Sequence, residues 1–377
     1  MDFNFTEEQD MLKTMARDFL TDKCPKTLVR EMEEDEKGYP PELWREIAEL
    51  GWMGLIIPEE YGGSGMTFLD LAVLLEEIAK ACLPGPFFST VVLGGLPILN
   101  AGTDEQKQEY LPKISSGESV FTLALTEASA GYDAPSIAVK ATADGDSYII
   151  NGTKLFVPDA NVADYILCVT RTSEQADAEK GITVFIVDAK SPGISHTVLK
   201  TMAADKLCEV VFDKVKVPAA NILGKPDQGW EVVQKIIEQA AVAKCCTIVG
   251  AMQQALDMTV DYTKERVQYD HPIGSFQIIQ HYCANMATDV DGSRFSTYQA
   301  AWKINEGLPC TKEVAIAKAY TGEAFERVIR LAHQIHGAIG CTIDHDLQFY
   351  TKRGKAAALS FGSGDFYREI VAQEMGL

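Results

Sequence analysis

The sequence predicts an α+β multidomain protein, with an N-terminal helical domain over residues 1–119, a small middle β-barrel or sandwich domain over 120–226, and a C-terminal four-helix bundle over 227–377. Two changes of period carry this. Apolar residues recur at helical spacing to about residue 119, alternate with a period of two to about 225, and return to helical spacing from Trp230. The third observation is proline placement: none falls between Pro226 and Pro272, which leaves room for one long helix.

Taken in order, Thr6-Glu7-Glu8-Gln9 reads as a capping box, followed by Met11, Leu12, Met15, Phe19 and Leu20 at helical spacing. Pro40-Pro41-Glu42 opens a helix that runs to Leu50, where Gly51 follows. A third helix spans Asp70 to Ala81. The β segment is read from Tyr148–Asn151, Ile182–Val187 and Glu209–Val217, with hairpin turns at Asp144-Gly145 and Asn151-Gly152. Asp227-Gln228-Gly229 leads into a helix with Arg266 at its end, and further helices fit Phe276–Asn305 and Lys312–Ile335.

Composition sets outer bounds. Of 377 residues, 46% are hydrophobic and 23% charged, as in an ordinary globular protein. A net charge of −20 argues against nucleic acid, which needs a basic footprint. It does not argue against a CoA ester, because one local set of donors can hold phosphates on an acidic protein. The longest apolar runs, such as Thr90–Leu99, are too short and glycine-broken to span a bilayer. Met1-Asp2-Phe3-Asn4-Phe5 has no basic n-region, so the expectation is a cytoplasmic protein without a secretory leader. The nine cysteines form no CxxC pair and are expected to be buried reduced thiols. His333, His336 and His345 lack a convincing further ligand, so no metal is expected.

Five motifs then stand in order: Leu50-Gly51-Trp52 through Pro58-Glu59-Glu60-Tyr61-Gly62-Gly63; Leu125-Thr126-Glu127-Ala128-Ser129-Ala130-Gly131-Tyr132-Asp133; Lys154-Leu155-Phe156-Val157-Pro158-Asp159-Ala160; Glu265 through Gln277; and Gln334-Ile335-His336-Gly337-Ala338-Ile339-Gly340. Together they resemble the acyl-CoA dehydrogenase family of flavoproteins over essentially the whole chain. The resemblance implies FAD, an acyl-CoA substrate, a homotetramer or dimer of dimers, and an electron-transferring flavoprotein as acceptor. It places Leu125, Thr126, Phe156, Pro158, Arg266, Gln268, Phe276, Gln277, Gln334, Gly337, Ala338 and Ser363 at the cofactor, and Tyr132, Phe361 and Gly362 at the substrate. Thr126 is the expected hydroxyl donor to the flavin edge, where developing negative charge needs one. Phe156 keeps the expected aromatic stack, whereas Pro158 stands where the family has a threonine. Taken alone, an arginine such as Arg266 at the end of a helix is more often a solvated charge near a favourable dipole end.

Removing a proton α to a thioester needs a positioned base, in this family a glutamate. Its two usual positions here are Phe361 and Ala240, and Ala241 replaces the arginine that follows the second. Three readings stay open. The base has moved, as an alicyclic or unsaturated substrate of the cyclohexene-carboxyl-CoA type permits, with Asp365, Asp270, Asp133 and Glu238 as candidates. Alternatively, the chain is an FAD-supporting subunit of a hetero-oligomer, or it runs a lyase-type reaction on the same scaffold. Leu83–Thr103, expected to line the acyl pocket, carries no acid before Thr103.

Overall fold

The computed structural model describes residues 5–377, so Met1–Asn4, on which much of the no-leader expectation rests, lie outside the described residues. The helices are α1 Glu7–Lys23, α2 Lys26–Glu34, α3 Pro41–Glu49, α4 Phe68–Ala81, α5 Leu96–Ala101, α6 Asp104–Ser115, α7 Gly229–Glu265, α8 Gln277–Asn305, α9 Thr311–His336, α10 Leu347–Leu359 and α11 Gly364–Glu374. The strands are β1 Phe121–Ala124, β2 Lys140–Asp144, β3 Ser147–Pro158, β4 Tyr165–Arg171, β5 Ile182–Asp188, β6 Ile194–Val198, β7 Leu207–Pro218 and β8 Ile222–Leu223, with a small hairpin of β9 Val267–Gln268 and β10 His271–Pro272. The helix–sheet–helix order and the long proline-free helix are as expected. The Thr6–Gln9 capping box forms with both reciprocal bonds at 3.2 Å. Among the described residues, no helix is long and apolar enough to cross a membrane.

The chain divides into two compact units. One combines Pro84–Ala240 with Glu31–Thr67 and contains the sheet, ordered β6-β7-β3-β2-β4-β5-β8, with β1 parallel to β4. Alternate residues of β3 and β7, such as Ile150, Val210, Phe212 and Val215, join Ile166, Phe185 and Val187 in its core. Asp144-Gly145 turns the β2–β3 hairpin as expected. Asn151-Gly152 does not turn: both lie inside β3, opposite an extra residue on β7. The Asn151 carboxamide oxygen accepts from Lys214 N at 2.8 Å, and a Cβ on Gly152 would come within 2.8 Å of Val139. The pair therefore marks a β-bulge, where one strand carries a residue too many, and not the end of a strand.

The run Thr90–Leu99 becomes a π-helical stretch, Phe88–Gly95, continuing into α5. Gly94 is required there, because its Cβ would lie 2.2 Å from Phe121 of β1.

The other unit holds residues up to Arg30, Phe68–Leu83 and Ala241–Leu377. Glu76 of α4 is 2% exposed and is bound by Arg294 Nη2 at 2.9 Å and by Tyr298 at 3.3 Å. Burial alone would raise its carboxyl, but Arg294, Lys80 and Lys13 outweigh that and hold it below the usual range. Six of the nine thiols are buried; Cys283 and Cys310 are half-buried, and Cys341 is exposed, so the expectation of buried thiols fails at those three.

Candidate active site

One group of the expected site residues lies in the sheet-containing unit. Between Lys154 and Val157 of β3 the register to β7 slips by one residue, and Phe156 sits in this bulge with φ +54° and half its surface exposed. A phenyl ring pushed outward by left-handed backbone is costly unless it has a task. Thr126 is held beside it: Leu155 N donates to the Thr126 carbonyl at 2.8 Å, and the Thr126 hydroxyl has no protein partner among the described residues. Leu125 is buried, and its carbonyl accepts from Lys154 Nζ at 3.0 Å.

The Lys154 ammonium also bonds Glu127 at 2.6 Å, and Glu127 in turn accepts from the backbone N–H groups of Ala138 and Val139 at 3.1–3.2 Å. Lys154 is fully buried and Glu127 is 8% exposed; burial pushes the lysine downward, with Glu127 among the groups that oppose this. This tether fixes the Leu125–Gly131 loop against β3. A protruding aromatic face beside an unspent hydroxyl fits an isoalloxazine ring and its polar edge. Pro158 adds no donor, having no N–H, and its carbonyl already accepts from Thr122. Tyr132 is half-buried and Asp133, exposed, accepts from Ser136.

Asp159 follows directly, also with positive φ (+54°) and half-buried. Its N–H donates to Lys206 O at 2.7 Å, and its carboxylate accepts from the hydroxyl of Ser89 in the π-helical stretch. The fold thus brings an acid to the Leu83–Thr103 segment from elsewhere in the chain. Ala240 and Ala241 are completely buried. Glu238, two residues before Ala240, is half-buried.

Another group of the expected site residues lies in the other unit. Arg266 closes α7, its N–H donating to Tyr262 O at 2.9 Å, and its side chain is exposed. Tyr269 and Asp270 form the β9–β10 turn, both with positive φ, the requirement of a type I′ hairpin. Gln268 and Asp270 are exposed, Phe276 meets the Tyr269 ring edge-on at 6.3 Å, and Gln277 starts α8. At the far end of α9, Gln334, Gly337 and Ala338 are exposed, and Gly337 adopts φ +65°, ψ −144°, a glycine conformation. The Tyr262 and His336 rings stack at 4.6 Å, which brings the foot of the hairpin next to the end of α9. His336 Nδ1 donates to Ala332 O at 2.9 Å and His333 bonds Thr351 at 2.8 Å.

Phe361 is half-buried with φ +57°, and Gly362 is buried with φ +112°. Ser363 caps α11, its hydroxyl accepting from Phe366 N at 3.4 Å. Asp365, 92% exposed at its side chain, pairs with Arg368 at 2.6 Å.

Comparison with known proteins decides the family. Three models match in succession: the acyl-CoA dehydrogenase N-terminal domain over residues 6–118, the middle domain over 122–215 and the C-terminal domain over 227–376. The chain belongs to the acyl-CoA dehydrogenase family. It is similar to a probable acyl-CoA dehydrogenase of Bacillus subtilis, 34% identical with all of both chains covered. It is also similar to an acryloyl-CoA reductase (NADH) of Anaerotignum propionicum, 32% identical over 100% of this chain and 96% of that one. Among solved structures, butyryl-CoA dehydrogenase from Megasphaera elsdenii superposes with a TM-score of 0.93 at 30% identity, both chains covered fully. The protein is accordingly an FAD-dependent oxidoreductase of the acyl-CoA dehydrogenase type, acting on CoA thioesters.

Sequence reasoning passed over the Lys154–Glu127 pair and Asp159. The signal for the pair was available: a lysine in the middle of an apolar strand is rarely buried without a partner. For Asp159 there was none, since its partner Ser89 is distant in sequence.

Proposed function

We propose that the protein interconverts a saturated and an α,β-unsaturated acyl-CoA, or extends existing unsaturation, on a compact apolar group of the cyclohexene-carboxyl-CoA type, and that Asp159 exchanges the substrate proton. The observation that carries the proposal is the Asp159 carboxylate, three residues beyond Phe156 and bonded to Ser89 of the segment expected to line the acyl pocket. Asp270 and Asp365 are exposed, and Asp133 is spent on a local turn with Ser136.

In the oxidative direction the substrate loses one hydrogen as a proton to a carboxylate oxygen of Asp159. The electron pair of that C–H bond becomes the new double bond as the second hydrogen departs with its pair. When bound, FAD accepts that hydride. The Ser89 hydroxyl orients the carboxylate. Phe156 and Thr126 would hold the cofactor's ring face and edge, and Phe361 is the residue expected to meet the acyl group. The reductive direction uses the same proton exchange reversed, and an acryloyl-CoA reductase among the relatives makes it an equal expectation.

The proposal extends to a homotetramer or dimer of dimers. Arg266, Gln268, Phe276 and Gln277 of one copy, with Gln334, Gly337, Ala338 and Ser363, complete the dinucleotide site. It keeps the divisions at 119 and 226, a cytoplasmic setting and an electron-transferring flavoprotein as redox partner, in the breakdown of alicyclic or aromatic compounds. The apolar residues at 240 and 361 favour one second reading, an FAD-supporting subunit whose homologous partner supplies the base.

Anaerobic titration of the purified flavoprotein with cyclohex-1-ene-1-carboxyl-CoA and with butyryl-CoA separates the two. Bleaching of the oxidised-flavin band by the cyclic ester is the expected result. Bound flavin that neither ester bleaches, together with a co-purifying homologous chain, would establish the subunit reading.

A further inference from the structure

Lys318 lies on α9, is 1% exposed, and has no carboxylate partner among the described residues. An isolated buried ammonium is strongly disfavoured, so its surroundings must give something back. Its Nζ donates to the carbonyl of Ala358, near the end of α10, at 2.7 Å and to the carbonyl of Gly362 at 2.9 Å. The two acceptors flank the turn that carries Phe361. A third bond closes the same turn from α11, where the Tyr367 hydroxyl donates to the Phe361 carbonyl at 2.7 Å. Lys318 Nζ stands 5.8 Å from the Tyr367 ring centroid, so its charge also faces an aromatic surface.

The turn needs such restraint. Phe361 is a bulky residue in the left-handed region, which persists only where the surroundings over-determine it. Gly362 has no alternative, since a Cβ there would lie 2.6 Å from Phe366 and 2.7 Å from Tyr367.

We propose that Lys318 is a positioning residue: with Tyr367 it clamps the Ala358–Gly362 turn and so fixes the conformation of Phe361, the residue expected to meet the acyl group. The part concerning the acyl group rests on the function proposed above, and the clamp itself does not. Burial pushes Lys318 down to about 8, with Lys244 adding to this and Cys245 opposing it. The clamp does not depend on the charge, because a neutral amine still has two N–H groups for two carbonyls.

The test uses the intact flavoprotein carrying Lys318→Met, with Tyr367→Phe as a second variant that removes one tether and leaves the cation in place. Amide hydrogen exchange over residues 356–367 is compared with α8 and β3, and discrimination between cyclohex-1-ene-1-carboxyl-CoA and butyryl-CoA is measured alongside. Both variants are expected to raise exchange at least tenfold at Ser360, Phe366 and Tyr367, whose amides are hydrogen-bonded across the turn, while β3 stays protected, and to erode the ester discrimination mainly through KM. Unchanged exchange at the turn in both variants, or a uniform rise through α8 and α9, overturns the clamp. Local loosening with unchanged ester discrimination supports the clamp and rejects Phe361 as an acyl-facing residue. If Lys318→Met does not fold, Tyr367→Phe alone decides by the same readouts.

Discussion

At Lys318 a charge sits where solvation is poor, and the sign of its pH dependence follows. Its folded value of about 8 lies below the ordinary 10.5, so between these the unfolded chain binds more protons than the folded one. Stability contributed by this group therefore rises as pH climbs from 8 to 10.5, by about 3 kcal/mol over that window. Lys318→Met is expected to abolish that rise, which denaturant melts of both proteins at pH 7.5 and 10 will measure. A second residue-scale feature is Asp159, whose importance no single-residue pattern reveals. As a letter it is one more turn-forming acid after a proline. Only the pairing with Ser89 lifts it above Asp133, Asp270 and Asp365.

At the scale of elements, the Lys154–Glu127 pair joins β3 to the Leu125–Gly131 loop. Breaking a buried pair by removing one partner costs about 3–5 kcal/mol, because the survivor is left charged and dry. Lys154→Met is thus expected to lower the melting temperature and weaken FAD retention together, read by thermal melts and by flavin released on gel filtration. In α4 and α8, Glu76 is held below its usual range by Arg294, so its contribution is present above the unfolded carboxylate value and lost as pH falls through the lower folded one. Arg294→Met should move the acid-unfolding midpoint upward, as circular dichroism from pH 7 to 2 will record. The boundaries of α7, α8 and α9 were legible because their apolar spacing, proline limits and glycine stops agree. Asn151-Gly152 misled for a physical reason: the dipeptide that favours a hairpin turn also suits a bulge, and only pairing with β7 distinguishes them.

For the whole molecule, the family was legible because five short motifs stand in order along the entire chain, and each follows from a local need for a turn, a donor or a stacking face. The identity of the base was not, because it depends on which distant side chains the fold brings together. Ala240 and Phe361 say only where the proton acceptor is absent. The central proposal is that this chain supplies its own proton acceptor, with Asp159 in the role that Ala240 and Phe361 cannot fill. The most direct measurement is the stopped-flow reductive half-reaction of wild type and Asp159→Asn with cyclohex-1-ene-1-carboxyl-CoA under anaerobic conditions. The account predicts that wild type bleaches and that the variant, with unchanged FAD content, bleaches about 10²–10⁴-fold more slowly, the usual contribution of a positioned base. Equal rates in the two proteins would contradict it and place the proton acceptor elsewhere.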